Sequence, residues 1–332
     1  MNNIIEVRNL VKEFKGVTAV DNIDFDVKEG EVFGFLGPNG AGKSTTISMI
    51  TTLLQPTSGT ITLDGHDVVR NATTVRNTIG LVPQALTADD ELSGRENMHL
   101  QADLYNVPRD IAKERIDELL KVVKLEDAAD RRVDTYSGGM RKRLELAEGL
   151  IHRPKILFLD EPTLGLDIQT REIIWDYIKT IREENNMTVF LTTHYLEEAD
   201  SLCDRIAIID EGHIKVIGTP LELKTALGGD AIDVTINDGF DHSEMLESID
   251  NVTNVSRNEM DYRLRTSNGD ATMTDVLAMS AENGWRVISV SLHRPSMNQV
   301  FMQYTGKSLR DTDGGSNKAA VRTAMIQSRR RQ

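Results

Sequence analysis

Gly37-Pro38-Asn39-Gly40-Ala41-Gly42-Lys43-Ser44-Thr45 fits G-x-x-x-x-G-K-[ST], the spacing of a phosphate-binding P-loop. The apolar run Val32-Phe33-Gly34-Phe35-Leu36 before it reads as a buried strand, and Ile47, Ile50 and Leu54 after it recur at helical spacing. A loop between strand and helix is the setting the motif requires. There the unpaired N–H groups and positive dipole end of the helix face a phosphate. Gly37, Gly40 and Gly42 let the backbone approach closely, and Lys43 adds a point charge near the outer phosphates. The Ser44 hydroxyl suits the shell of a Mg2+ that keeps most of its waters.

Further along, Ile156-Leu157-Phe158-Leu159 is continuously apolar, as a strand covered on both faces should be, and it delivers Asp160-Glu161 at its C-terminal end. Ligands of open parallel sheets bind at those ends. After a P-loop this acidic pair reads as a Walker B site: Asp160 to hold the Mg2+ or its waters, Glu161 to accept a hydrogen bond from an attacking water. The β-branched run Thr188–Thr193 predicts another strand, with His194 at its end, where it can reach a terminal phosphate and keep Glu161 and water in register. Ser137 is suited to be the N-cap of a helix carrying Leu144, Ala147, Leu150 and Ile151 on one face. Gly138 and Gly139 open that helix start to another group. Phe14 reads either as a ring for a purine base or as an ordinary core residue.

The chain has 332 residues, longer than one typical domain, and Lys+Arg total 38 against Asp+Glu 52 for a formal charge of −14. That balance argues against a nucleic-acid surface. Arg329-Arg330-Arg331 reads as a solvated tail. The single cysteine, Cys203, excludes an intramolecular disulfide and reads as a buried small hydrophobe. No apolar run reaches the ~18 residues of a membrane span, and Met1 to Phe14 carries Glu6, Arg8, Lys12 and Glu13 where a signal would be apolar. A cytoplasmic location is therefore expected, with any membrane role acting through a partner.

Alternation in Ile4–Arg8 and Ile23–Val27 predicts a half-exposed antiparallel sheet, joined by Ile61-Thr62-Leu63. Ile79–Gln84 reads as a short buried strand that Pro83 stops, and residues 89–108 as polar turns and short helices. An amphipathic helix follows through Ile111, Ile116, Leu119, Leu120 and Val123. Ile206–Ile209 and Ile214–Ile217 read as a closing hairpin. Gly228-Gly229-Asp230 predicts a linker, which divides the chain into 1–228, 229–306 and a disordered tail at 307–332. The middle piece follows the order βαββαβ, the ferredoxin-like pattern, with a last helix at 297–304.

With these elements in order, residues 4–224 resemble the ATP-binding subunits of ABC transporters. The carriers are the P-loop from Gly37, the Q-loop residue Gln84, the signature Tyr136–Arg141, Walker B at Asp160 and Glu161, the D-loop Gly165-Leu166-Asp167 and the switch His194. The signature has Met140 where the wider family usually has Gln, and Phe14-Lys15 stands where it often has Tyr-Gly. The resemblance implies an α/β P-loop NTPase of ABC type: a RecA-like mixed-sheet core, an antiparallel β subdomain and an α-helical subdomain. The small α+β ferredoxin-like domain follows. It implies ATP held by Phe14, by Gly37 through Thr45, by Gln84 and by Asp160, with Mg2+ at Ser44, Gln84 and Asp160. Lys43, Glu161 and His194 carry hydrolysis. A head-to-tail dimer is implied, a homodimer or a pair with a related subunit, in which Ser137, Gly138, Gly139 and Asp167 complete the ATP site of the partner.

His293-Arg294-Pro295 and Val300-Phe301-Met302-Gln303-Tyr304-Thr305-Gly306 look like the C-terminal region of the daunorubicin/doxorubicin-resistance ATPase group. That resemblance implies export of a hydrophobic or drug-like compound through a separate multi-span permease, with the chain at the cytoplasmic face of the membrane. The stretch 85–97, including Asp89 and Asp90, is the expected permease contact. A soluble ABC ATPase acting on nucleic acid or ribosomes would need a long coiled-coil insertion or tandem cassettes, and neither is present. A P-loop kinase would leave Ser137-Gly138-Gly139 and the series from Gln84 to His194 without purpose.

Overall fold

In the computed structural model, residues 2–306 are described, and they divide at Ile217/Gly218 into two compact units. In the first unit β1 (Asn3–Phe14) pairs antiparallel with β2 (Val17–Lys28), and β3 (Val32–Leu36) leads through the P-loop into α1 (Lys43–Ile50). β4 (Ser58–Leu63) and the short β5 (His66–Asp67) complete a four-stranded sheet of order β2-β1-β4-β5. The alternation of Ile5 and Val7 against Phe25 and Val27 across this pair is the one expected from sequence.

α2 (Ala72–Thr78) runs into β6 (Ile79–Val82), after which three helices, α3 (Gly94–Leu104), α4 (Arg109–Val122) and α5 (Gly138–Leu150), form a helical layer. Its core is Met98, Ala102, Ile116, Leu120, Leu144 and Ile151. Within 89–108, expected to hold polar turns and short helices, turns lead into the single helix α3, whose first N–H groups Ser93 and Glu96 satisfy in a reciprocal capping box. Then come β7 (Ile156–Asp160), α6 (Ile168–Asn185), β8 (Thr188–Thr193), α7 (Leu196–Leu202), β9 (Arg205–Asp210) and β10 (His213–Gly218). The central sheet has the order β10-β9-β3-β8-β7-β6, with parallel pairing from β9 through to β6.

β3, β7 and β8 are buried along their whole length, which explains their unbroken apolar runs. One face of this sheet meets the antiparallel sheet through a ring cluster. Phe25 of β2 lies 5.6, 5.4 and 6.1 Å from Phe33, Phe35 and Phe190. Each buried ring contributes roughly 2–3 kcal/mol of burial, so the cluster fixes both sheets behind the P-loop. On the other face Gly34 leaves room for Cys203, whose Sγ would sit 2.5 Å from an added Cβ. Cys203 is buried and free, as expected.

The second unit contains α8 (Pro220–Thr225), β11 (Asp230–Ile236), α9 (Ser243–Glu247), β12 (Val252–Asn258), β13 (Asp261–Thr266), α10 (Gly269–Asn283), β14 (Val287–His293) and α11 (Met297–Thr305). The strand order β12-β13-β11-β14, antiparallel throughout, is the ferredoxin-like arrangement read from the sequence. The division falls earlier than the Gly228-Gly229 junction expected. α8, capped by Thr219 and Glu222, packs against α11 and so goes with the second unit. The tail expected at 307–332 lies outside the described residues.

Candidate active site

The site is built where β3, β7 and β8 end side by side. The backbone of Gly40 and Gly42 takes φ of 88° and 110°, the left-handed region where a side chain is disfavoured. A Cβ on Gly37 would meet Ile209 O at 2.3 Å, so the loop can lie this close to β9 only as glycine. Lys43 opens α1 and is 4% exposed. Its Nζ donates to Gly37 O and Pro38 O at 2.8 and 3.1 Å and lies 3.2 Å from Glu161 Oε1. Burial pushes the Lys43 ammonium below its ordinary pKa, against the pull of Glu161 and Asp160.

Glu161 follows the last residue of β7 with φ 50°, an uncommon left-handed conformation for a side-chain-bearing residue. Its N–H is held by Thr192 O and Thr192 Oγ1, each at 3.1 Å, which fixes the turn. The carboxylate, 6% exposed, receives Gln84 Nε2 at 3.4 Å. His194 Nδ1 stands 3.3 Å from Glu161 Oε2, close but out of line for a full hydrogen bond. Burial raises the Glu161 pKa, yet His194 and Lys43 outweigh it and hold the carboxyl below its ordinary value. Beside it, Asp160 Oδ1 accepts from Ser44 Oγ at 3.2 Å and Thr192 Oγ1 at 2.6 Å. Burial raises the Asp160 carboxyl in spite of those two donors.

The structure therefore brings together Gly37, Pro38, Lys43, Ser44, Gln84, Asp160, Glu161 and His194. Asn39, Ala41 and Thr45 lie in the same P-loop and first turn of α1. Phe14 is set apart, 7% exposed with Lys12 Nζ 5.0 Å from its ring centre. Ser137 caps α5, its Oγ accepting from Met140 N at 3.2 Å, and Asp167 caps α6 by accepting from Thr170 N at 3.0 Å. Both caps sit at exposed helix starts, and neither is tied to the Lys43–Glu161 pair by a hydrogen bond or ion pair among the described residues. Thr192 was missed by the sequence reading. The signal available was a pair of hydroxyl residues, Thr192-Thr193, inside an otherwise apolar strand.

The loop after Gln84 is gripped by α5. Lys142 Nζ donates to Pro83 O at 2.7 Å, Glu145 accepts from Thr87 N, and Arg141 pairs with Asp90 at 2.6 Å. The expected permease contact at 85–97 is thus already engaged with the helix that starts at the signature. Among the described residues no group of three or more His, Cys, Asp and Glu could enclose a metal. Ser44 Oγ and Asp160 Oδ1 fit a hard cation that takes its other ligands from water and phosphate.

Residues 20–164 match the family model described as ABC transporter, and residues 218–305 match the C-terminal domain of ATP-binding proteins like DrrA1-3. The chain is 41% identical over 309 residues to the daunorubicin resistance ATP-binding protein DrrA3 of Streptomyces coeruleorubidus, covering 92% of this chain and 97% of that protein.

The chain belongs to the ATP-binding subunits of ABC transporters.

As a member of that family this ABC subunit binds and hydrolyses ATP. It is also 36% identical to the linearmycin resistance ATP-binding protein LnrL of Bacillus subtilis (strain 168), over 93% of this chain and all of that one (100%). Among solved structures, it superposes with a TM-score of 0.60 and 29% identity on the dimeric post-hydrolysis ATP-binding cassette MJ0796 bound to ADP and Pi, covering 65% of this chain and 98% of that one. Subunits of this family work as dimers with membrane permease partners. No helix among the described residues is long and apolar enough to cross a membrane.

Proposed function

We propose that this ABC subunit powers export. Two copies, or one copy and a related subunit, close over ATP and pass the stroke to a multi-span permease at the cytoplasmic face of the membrane. The cargo is a hydrophobic or drug-like compound; the names of the two resistance relatives support the export direction. The observation that carries the reading is the convergence of Lys43, Gln84 and His194 on one buried carboxylate, Glu161.

An ionised Glu161 at the end of β7 orients a water for in-line attack on the terminal phosphate. Because its pKa is held low, positioning outweighs proton abstraction. Lys43, released from the carbonyls of Gly37 and Pro38, neutralises phosphate charge, and His194 keeps water and Glu161 in register. Ser44 and Asp160, with Gln84, would hold Mg2+, which would neutralise charge on the phosphate oxygens. Phe14 meets the adenine once Lys12 moves off its ring. Ser137, Gly138 and Gly139 of one copy, with Asp167, cover the nucleotide of the other, so closure excludes water and completes the chamber.

Glu161→Gln tests this. Its turnover should fall at least about 100-fold while ATP binding is retained and an ATP-bound dimer accumulates on size exclusion. Wild-type turnover in that variant overturns the reading. Purification from membranes should bring a multi-span protein with the wild-type chain.

A further inference from the structure

The side chain against which His194 rests is Tyr195, its immediate neighbour. The two ring centres are 4.2 Å apart with planes inclined by 40°. On Tyr195 lies the Arg171 guanidinium, its carbon 4.0 Å from the ring centre. That same guanidinium donates from Nε to Leu166 O at 3.0 Å, inside the loop that ends in Asp167. Arg171 therefore touches two functional loops of one chain at once. A second tie lies one turn further along both helices. Glu198, fully buried, accepts from Trp175 Nε1 at 3.0 Å and from Thr163 Oγ1 at 2.8 Å. The i,i+4 spacing from 171 to 175, and the i,i+3 spacing from Tyr195, the N-cap of α7, to 198, stack the inner tie beneath the outer one.

The two ties have different characters. Glu198 is a buried anchor whose loss would damage the fold. Arg171 and Tyr195 are only half-buried, and the Tyr195 hydroxyl makes no hydrogen bond among the described residues. A cation stacked on a ring fixes orientation at modest stability. His194, out of line with Glu161 in this state, needs its ring direction set by something other than that carboxylate.

We propose that Arg171 and Tyr195 are positioning residues that set the His194 ring and couple it to the loop 165–167, so that a partner docking on that loop aligns His194 with Glu161. The proposal rests on the reading of His194 as the group that keeps water and Glu161 in register. The aromatic face is what the couple uses, and the phenol is not.

Steady-state ATPase kinetics on the full chain test it, with nucleotide binding and melting temperature followed beside them. Tyr195→Ala and Arg171→Ala should each lower kcat about tenfold, with KM unchanged within about twofold and a shallower dependence of rate on protein concentration. Tyr195→Phe should restore the wild-type rate. The double variant should be no slower than Tyr195→Ala alone, because both remove one couple. His194→Ala at wild-type kcat overturns the parent reading. Loss of turnover in His194→Ala with full turnover in Tyr195→Ala overturns the couple alone. A parallel fall in kcat, ATP binding and melting temperature for Tyr195→Ala, unrelieved in Tyr195→Phe, also overturns it.

Discussion

Both α1 and α5 begin at glycine-opened N-termini, but only α1 opens on a charged residue, Lys43. Around α1 the chain is closed: a Cβ on Gly42 would meet Ala19 O at 2.6 Å, and Lys43 is buried against Glu161. Around α5 the start is open: Ser137 and Gly138 are exposed, and the Ser137 hydroxyl accepts from the N–H of its own first turn. The difference is one of task. Holding a cation in a dry site requires a counter-charge already in place, as Glu161 is for Lys43. Recognising a phosphate held by another surface requires only unpaired N–H groups and the helix dipole. Each chain thus has one loaded end and one open end, which is the asymmetry that two copies placed head to tail would complement.

Gly138→Asp strikes at this contrast hardest. Added atoms at Gly138 find Leu166 Cδ2 only at 3.9 Å, and an acid in a first turn favours the helix, so the fold should survive. An anion at the open end should nevertheless repel the phosphate of the partner. Turnover is expected to drop more than about 100-fold, with ATP affinity of the isolated chain by equilibrium dialysis unchanged within about twofold. Normal turnover would remove the contrast.

A smaller effect separates the interiors of the two regions by pH. Glu148 of α5 is buried beside Glu145, and burial, with that like charge, pushes its carboxyl up to about 8. The unfolded chain releases this proton near the ordinary value of 4.5, so between that pH and about 8 the folded chain holds more protons. Stability should therefore decline as pH rises through this window. Glu161 has the opposite sign: its lowered carboxyl contributes stability above the ordinary value, lost as pH falls through the folded one. Glu148→Gln should abolish a decline in Tm of about 5 °C between pH 6 and pH 8, read by thermal melts at fixed salt. An unchanged slope would place the titration elsewhere.

The smallest effect concerns the pair of exposed Asp90 with half-buried Arg141. Asp90→Lys should cost under about 1 kcal/mol in stability, as measured by urea unfolding. Its consequence should appear in permease-stimulated ATPase, because the pair joins the loop after Gln84 to the helix of the open end.

Much of this was legible in the chain itself. The P-loop, the run Ile156–Leu159 ending in Asp160-Glu161, and the βαββαβ order of the second unit are local patterns, and each periodicity marks the face that will be buried. Residues 89–108, read as polar turns and short helices, hold polar turns and the single helix Gly94–Leu104, whose start Ser93 and Glu96 cap. The unit boundary was misplaced because α8 owes its allegiance to α11, far along the chain. Thr192, Arg171 and Tyr195 carried no motif; their meaning is in what they touch.

Sequence alone determined the phosphate-binding loop, the acidic pair behind it, the second glycine-opened helix and the βαββαβ order of the second unit, because spacing of glycine, charge and apolar residues is a property of neighbours along the chain; the ABC-type fold of the first unit followed from its resemblance to that family. Tertiary structure alone decided that Lys43, Gln84 and His194 meet at Glu161, that Phe14 lies beneath Lys12, and that α5 grips the loop after Gln84. Those contacts join strands and helices that are distant in sequence. Their geometry is set by the parallel order of the central sheet, which brings the ends of β3, β7 and β8 side by side and which no local pattern encodes.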